Sequence, residues 1–238
     1  MSKDFEMVRE FYDQGAEYEW ARLEQHPFEF LLTTWMMDQY IRPGDSVLDI
    51  GGGPGRYSIY FAEKGCAVTL AELSGGNVEL AKKKAAEAGV ALTAHAVNCL
   101  ELEALELGQF DHVFLMGPLY HLLDEKDRVR AAEIALRHLK PGGKLYVSFI
   151  LLFANIIYYL QNGGALVEEW ENPAAAAVKD AVASGRDWGG PAFTTAHFYH
   201  QRNILSFMEC FGLEKLHFFG QEGILAPNYR EILKRDPA

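Results

Sequence analysis

The stretch VLDIGGGPGRYS, residues 47–58, narrows the possible folds more than any other. An apolar strand pattern, Val47-Leu48-Asp49-Ile50, runs into Gly51, Gly52, Gly53, Pro54 and Gly55, and a helical pattern follows at once. Strand, glycine loop and helix in immediate succession let a main chain approach a nucleotide-like ligand closely, because no Cβ stands in the way. The dinucleotide fingerprint needs G-x-G-x-x-G. Here the spaced glycines fall at 51, 53 and 55, and Arg56 follows. The spacing is therefore G-x-G-x-G, and no Gly-Lys-Ser/Thr phosphate loop is present.

The chain on either side agrees with an α/β fold. After the strand at 46–50, helical and strand patterns alternate: helix 56–64, strand 67–72, helix 76–88, strand 91–97, strand 111–116, helix 125–139 with Asp124 as N-cap, a KPGG turn at 140–143, and strand 144–150. Near-continuous apolar strands between helices mean a parallel sheet covered on both faces. Residues 4–40 read as two helices, the second opened by Pro27. Residues 151–192 break the rhythm with an Ala-rich, helix-prone insertion that ends in a Gly-rich loop, SGRDWGGP. Helix 202–211, strand 213–219 and a short strand at 222–226 complete the reading. An insertion after the fifth strand is expected above the carboxyl ends of the strands, where open α/β sheets bind ligands.

The same logic singles out an acid. AVTLAELS places Glu72 at the carboxyl end of the second strand. A carboxylate there can accept two hydrogen bonds from a ribose diol.

Composition excludes several classes. A formal net charge of -11 argues against a broad nucleic-acid footprint, and the basic triplet Lys82-Lys83-Lys84 sits in a helix pattern as a solvated face. Cys66, Cys99 and Cys210 are odd in number and far apart, without C-x-x-C, so neither a disulfide framework nor a zinc site is expected. No metal is expected, and a reducing, cytoplasmic setting is. The amino-terminal MSKDFEMVREFYDQG lacks the apolar core of a signal peptide. The apolar run at 145–160 is shorter than the roughly 20 residues of a membrane span. It reads as a buried strand running into an apolar helix, so no membrane partner is expected.

With these residues in view, the chain resembles the class I S-adenosylmethionine-dependent methyltransferases. VLDIGGGPGRYS looks like their first motif, VTLAELS like their ribose-binding acid strand, and AVNCLEL at 96–102 like their adenine-contacting segment. FDHVFLMGPLYHL and ALRHLKPGGKLYVSF look like their fourth and fifth strands, so the resemblance covers roughly residues 45–150. It implies a doubly wound, mostly parallel, seven-stranded Rossmann-like sheet with helices on both faces and a helical lid insertion. The parts would be N-terminal helices at 1–44 closing over the cofactor, a core at 45–150 and 193–238, and the lid at 151–192.

The resemblance also implies roles for a cofactor, S-adenosyl-L-methionine. Gly51, Gly53 and Gly55 would let the backbone contact its amino acid part, and Asp49 would orient the loop and the amino group. Glu72 would hold both ribose hydroxyls, with Leu73 packed on adenine. Asn98 stands where the family usually has Asp, and Cys99 would offer a backbone N–H to adenine. Met116 and Gly117 would line the methionine side, and Tyr12 and Tyr18 would reach the cofactor from the N-terminal helix.

A sulfonium methyl is already activated, so the chemistry needs mainly an in-line nucleophile and the exclusion of water. Tyr120 and His121, in GPLYHL after the fourth strand, are the polar groups expected nearest the methyl. His121 is either a base or a group that packs against the cofactor. Arg22, Phe193, His197 and Tyr199 are candidates for the acceptor side. The expected activity is methyl transfer to a small-molecule acceptor, which the apolar insertion favours over a macromolecule. The other reading is a protein that binds the cofactor without transfer, as a sensor or structural partner. Oligomeric state is left open.

Overall fold

A computed structural model of the chain describes residues 3–25, 27–154, 157 and 173–221. Two helices come first, α1 (Lys3–Gln25) and α2 (Pro27–Met37). Then follow β1 (Ser46–Ile50), α3 (Arg56–Glu63), β2 (Ala67–Glu72), α4 (Gly75–Glu87), β3 (Thr93–Ala96), a 3-10 helix (Cys99–Leu105), β4 (Phe110–Leu115), a single 3-10 turn (Pro118–Tyr120), α5 (Glu125–Arg137) and β5 (Leu139–Val147). The strands form one parallel sheet in the order β3-β2-β1-β4-β5. Val47, Leu48, Ile50, Leu70, Val113, Phe114 and Leu115 are buried and make its centre.

The order fixes where a ligand can sit. Right-handed crossovers put α3 and α4 on one face, because β1, β2 and β3 advance in one direction, and α5 on the other, because β4 and β5 advance the opposite way. The reversal between β1 and β4 opens a crevice at their carboxyl ends. Both the glycine loop after β1 and the GPLYHL segment after β4 emerge there.

The chain divides into two compact units. The first comprises residues 1–25, 34–149 and 189–197 and holds the sheet. Its last segment belongs to a hairpin of β6 (Trp188–Pro191) and β7 (Thr195–Phe198). The second comprises residues 26–33, 150–188 and 198–238 and includes α6 (Pro173–Ser184) and α7 (Gln201–Glu209). Within it Tyr199 bridges the chain at Ile150 and Leu152 through two backbone hydrogen bonds of 2.8 Å each. Asp187 Oδ1 accepts from the backbone of His200 at 2.7 Å and from Asn203 Nδ2 at 2.8 Å.

Several expectations are corrected. KPGG is not a turn: β5 begins at Leu139 and runs through it, with a register shift opposite Phe110 and His112. A Cβ on Gly143 would stand 2.8 Å from the Asp111 carbonyl oxygen, so the glycine admits the irregularity. SGRDWGGP is not wholly loop, since Trp188–Pro191 pairs with β7. Residues 213–219 form no strand: Leu213, Leu216, Phe218 and Phe219 are exposed, and among the described residues no ladder partner satisfies the segment. A strand is defined by its neighbour, and the 222–226 strand lies outside the described residues, as do Tyr158, Tyr159 and the following part of the lid to residue 172. The sheet described is accordingly five-stranded.

Candidate active site

The glycine loop is built by backbone conformation. Gly51, Gly53 and Gly55 have φ of 72°, 56° and 82°, values that L side chains adopt at a cost. A Cβ on Gly51 would come within 2.6 Å of Pro118, and one on Gly52 would collide with the Asp49 carboxylate. Below the loop, Asp49 is buried and accepts from Ser58 Oγ at 2.7 Å. Burial pushes its pKa up to about 7, the Ser58 bond opposes the shift, and the nearby Glu72 adds to it. A buried carboxyl beneath a concave glycine loop suits a cation above it.

Glu72 closes the other side of the loop. Its Oε2 accepts from the Gly53 N–H at 3.0 Å and its Oε1 from the Ser74 N–H at 2.9 Å. Burial raises its pKa while these bonds hold it down. Ser74 uses all its polar groups, since Oγ also caps α4 by accepting from Asn77 N at 3.0 Å and donates to Asp13 Oδ1 at 2.7 Å. The same Asp13 oxygen accepts from Gly76 N at 3.0 Å. Beside this chain Asn77 Oδ1 is buried without a hydrogen-bond partner. Asn98, next to the Glu72 strand end, spends its side-chain oxygen capping the 3-10 helix, accepting from Leu100 N at 2.9 Å. The Cys99 thiol is held protonated, its pKa pushed up to about 12 by burial and by the Glu72 charge.

After β4, Gly117 lets the two loops touch: a Cβ there would stand 2.5 Å from the Gly51 carbonyl oxygen. Next to it, His121 sits in a defined tautomer. Nδ1 lies 3.1 Å from the Thr195 carbonyl oxygen, which can only accept, so Nδ1 carries the proton. Nε2 therefore presents its lone pair, and the Tyr12 hydroxyl donates to it at 3.0 Å. Burial lowers the His121 pKa to about 4 against the pull of Thr195 and Glu19, so the imidazole is neutral. Burial also raises the Tyr12 pKa well above its ordinary value, with Tyr120, Glu19 and Glu72 adding to it. Phe11, Tyr120 and Phe193 close an aromatic wall around the pair, with the Phe193 ring 5.8 Å and the Tyr120 ring 4.8 Å from His121.

Most of the expected residues thus gather in one place. Asp49, Gly51, Gly53, Gly55, Glu72, Leu73, Met116, Gly117, Tyr12, Tyr120, His121 and Phe193 lie at or beside the carboxyl ends of β1, β2 and β4 in the first unit. Arg22 is engaged by Glu19 through two bonds, Nε at 2.9 Å and Nη2 at 2.6 Å. His197 is buried against Gly189, where a Cβ would stand 3.2 Å from its Nδ1. Tyr18 is 71% exposed on α1 and does not join the cluster, and Tyr199 belongs to the second unit. Sequence reasoning missed Asp13, Ser58, Ser74 and Thr195. Ser74 alone carried a signal, as a Ser immediately before a helical pattern. Among the described residues no cluster of three or more His, Cys, Asp or Glu could hold a metal ion, and no helix is long and apolar enough to cross a membrane.

A parallel sheet whose switch point carries a glycine loop and a strand-end acid defines a nucleoside-binding α/β protein. Residues 47–143 match the methyltransferase domain family, and that part of the chain is similar to S-adenosylmethionine-dependent methyltransferases. The ubiquinone biosynthesis O-methyltransferase of Pseudomonas paraeruginosa is 27% identical over 60% of this chain and 59% of its own length. That of Xanthomonas axonopodis pv. citri is 36% identical over 44% of this chain and 43% of its own. The chain therefore spans less than two thirds of the length of these relatives. In fold it is similar to a methyltransferase from Methanosarcina mazei, with a TM-score of 0.54, 21% identity, and 74% of this chain and 82% of that one covered. It is also similar to magnesium protoporphyrin IX methyltransferase from Synechocystis PCC 6803, with a TM-score of 0.55, 18% identity, and 82% and 97% covered.

Proposed function

We propose that this protein transfers the methyl group of S-adenosyl-L-methionine to a small-molecule acceptor by in-line attack. The observation that carries the reading is the join between Glu72 and the glycine loop, a 3.0 Å bond from Gly53 N at the switch point of the sheet. When bound, the cofactor supplies an activated sulfonium methyl. The residues fit it on three counts. The loop's positive φ angles clear the backbone of side chains. The buried Asp49 suits an amino group above it. Glu72, fixed by the Gly53 and Ser74 N–H groups, sets an acceptor carboxylate at the end of β2 for the ribose hydroxyls.

The chain's own groups would then act as follows. Tyr12 and the aromatic wall exclude water from the methyl side. His121, neutral and turned by Thr195, accepts the Tyr12 hydroxyl at its single Nε2 lone pair and so fixes the Tyr12 oxygen, whose own lone pairs would be left to receive a hydroxyl nucleophile. A group with a pKa near 4 is a weak base, so its first task is to orient a hydroxyl. That the relatives named above are O-methyltransferases supports an oxygen nucleophile. We assign residues 151–192 to covering the acceptor, on their apolar composition and their insertion after the fifth strand, and we place the reaction in the cytoplasm on the charge and cysteine content.

Calorimetry with S-adenosylmethionine, S-adenosylhomocysteine and NAD tests the reading. Binding of the first two and not the third is expected, with a rise in thermal stability by mass action. NAD binding in place of the sulfonium would end it. Binding without formation of S-adenosylhomocysteine across a panel of hydroxylated acceptors would leave a cofactor-binding protein without transfer.

A further inference from the structure

Asp13 has no part in the site as read from sequence, yet it stands where α1 touches the hydrogen-bond chain that holds the loop. Its Oδ1 receives the Ser74 hydroxyl at 2.7 Å and the Gly76 N–H at 3.0 Å, across more than sixty residues of sequence. The two helices approach so closely that a Cβ on Gly76 would stand 2.8 Å from the Asp13 carbonyl oxygen. Ser74 passes the contact on, because its N–H donates to Glu72 Oε1, and Glu72 Oε2 holds Gly53. The next residue along the helix, Tyr12, faces another way and donates to His121. Successive residues on a helix point about 100° apart. One turn of α1 therefore grips the Glu72 side of the crevice with Asp13 and the His121 side with Tyr12.

We propose that Asp13 is a positioning residue that couples docking of α1 to the orientation of Glu72, so that cofactor binding and closure of Tyr12 over His121 are one cooperative event. The inference rests on the reading of Glu72 as a cofactor-holding acid. Its physical content is linkage: whatever steadies Ser74 and Glu72 steadies the docked helix, and the reverse holds by the same factor. The bonds make this possible because Ser74 has no spare group. Its hydroxyl both caps α4 and donates to Asp13, so release of Asp13 frees the hydroxyl to turn, and the Ser74 N–H that donates to Glu72 loses the fixed neighbour that steadies it. Partial desolvation pushes the exposed Asp13 carboxylate up, and the Gly76 and Ser74 bonds outweigh it and hold its pKa below the usual value, in keeping with bonds to the ionised form.

The test uses the full chain with S-adenosylhomocysteine as the probe. Calorimetry reads affinity, and hydrogen exchange reads protection of α1 amides on addition of the probe. Asp13→Ala is expected to bind about fivefold more weakly, the loss of a charge-assisted but solvent-exposed bond pair, and to lose the ligand-induced protection of α1. Asp13→Asn keeps an oxygen able to accept from Ser74 and Gly76, and is expected to restore both readouts to near the parent's. Gly76→Ala leaves Asp13, Ser74 and Glu72 in the chain but forces α1 off α4, and should reproduce Asp13→Ala, which keeps the test open if that variant does not fold. If the parent protein does not bind the probe, the function proposed above fails. If the parent binds, and Asp13→Ala and Gly76→Ala match it in affinity and in α1 protection, only the coupling fails. An Asp13→Asn variant as weak as Asp13→Ala would overturn it as well.

Discussion

Gly117 lies so close to Gly51 that a Cβ on it would stand 2.5 Å from the Gly51 carbonyl oxygen. The contact locks the loop after β4 against the loop after β1, and it is purely steric, since Gly117 has an ordinary φ of -122°. Gly117→Ala should therefore part the two loops. We expect a loss of about 1–3 kcal/mol in stability, the usual cost of overpacking, together with weaker cofactor binding. Urea unfolding and calorimetry check both, and a variant indistinguishable from the parent would show that the loops are not locked.

Glu72 does two jobs, and its variants should separate them. Glu72→Ala removes the acceptor for Gly53 N and Ser74 N, and leaves those donors without their partner. We expect cofactor affinity to fall by about 1.5–3 kcal/mol and stability to fall by about 1–3 kcal/mol. Glu72→Gln retains one acceptor oxygen and should recover part of each. An alanine variant with full stability and a parent-like dissociation constant would place both loop support and ribose binding elsewhere.

Tyr12→Phe keeps the ring and removes only the hydroxyl that donates to His121 Nε2. The cofactor's dissociation constant should rise by at most about fivefold, because α1 loses one of its two anchors while Glu72 and the glycine loop keep their own contacts. The rate of methyl transfer should fall, since His121 and the helix lose their common anchor. Separate measurement of binding and of single-turnover rate decides it, and equal losses in the two would mean that Tyr12 is a cofactor ligand first.

Two buried groups give the cofactor-free protein opposing responses to pH. Asp49 keeps its proton up to about pH 7 when folded, against 3.8 ordinarily. The folded chain then binds more protons than the unfolded one, so this contribution is full below about pH 4 and is lost as pH rises towards 7. His121 has its pKa lowered to about 4 from 6.5. Here the folded chain binds fewer protons, so the contribution is full above about pH 6.5 and is lost as pH falls towards 4. The two slopes, each at most about 1.4 kcal/mol per pH unit, oppose one another. Asp49→Asn should unmask a stability that rises with pH through this window, and His121→Gln one that falls. Urea unfolding at about pH 4.5 and about pH 6.5 resolves the signs, and variants that keep the parent's profile would refute both assignments.

The parts of the site legible in the sequence were those built from neighbours in the chain. Gly51, Gly53, Gly55 and Glu72 announce themselves because a glycine loop and a strand-end acid have local grammar, and the strands at 46–50 and 67–72 were placed to the residue. Asp13 had none. Its partners lie across a helix–helix contact, and nothing in FYDQG distinguishes an acid that faces α4 from one that faces water. Thr195 was invisible for another reason: its backbone carbonyl, common to every residue, turns His121. The 213–219 segment misled because a short run rich in Leu and Phe resembles a strand without saying whether a neighbouring strand is there to receive it.

Trp20, on the same helix as Asp13, has two cations over its ring, Arg56 Cζ at 5.0 Å and Lys84 Nζ at 5.1 Å from the centroid. An indole's emission responds to nearby charge, and this one loses both neighbours whenever α1 leaves the sheet domain. The protein thus carries its own optical gauge of closure. In a chain whose other tryptophans are replaced by phenylalanine, a stopped-flow trace of Trp20 emission would time the arrival of the helix directly, with no label attached.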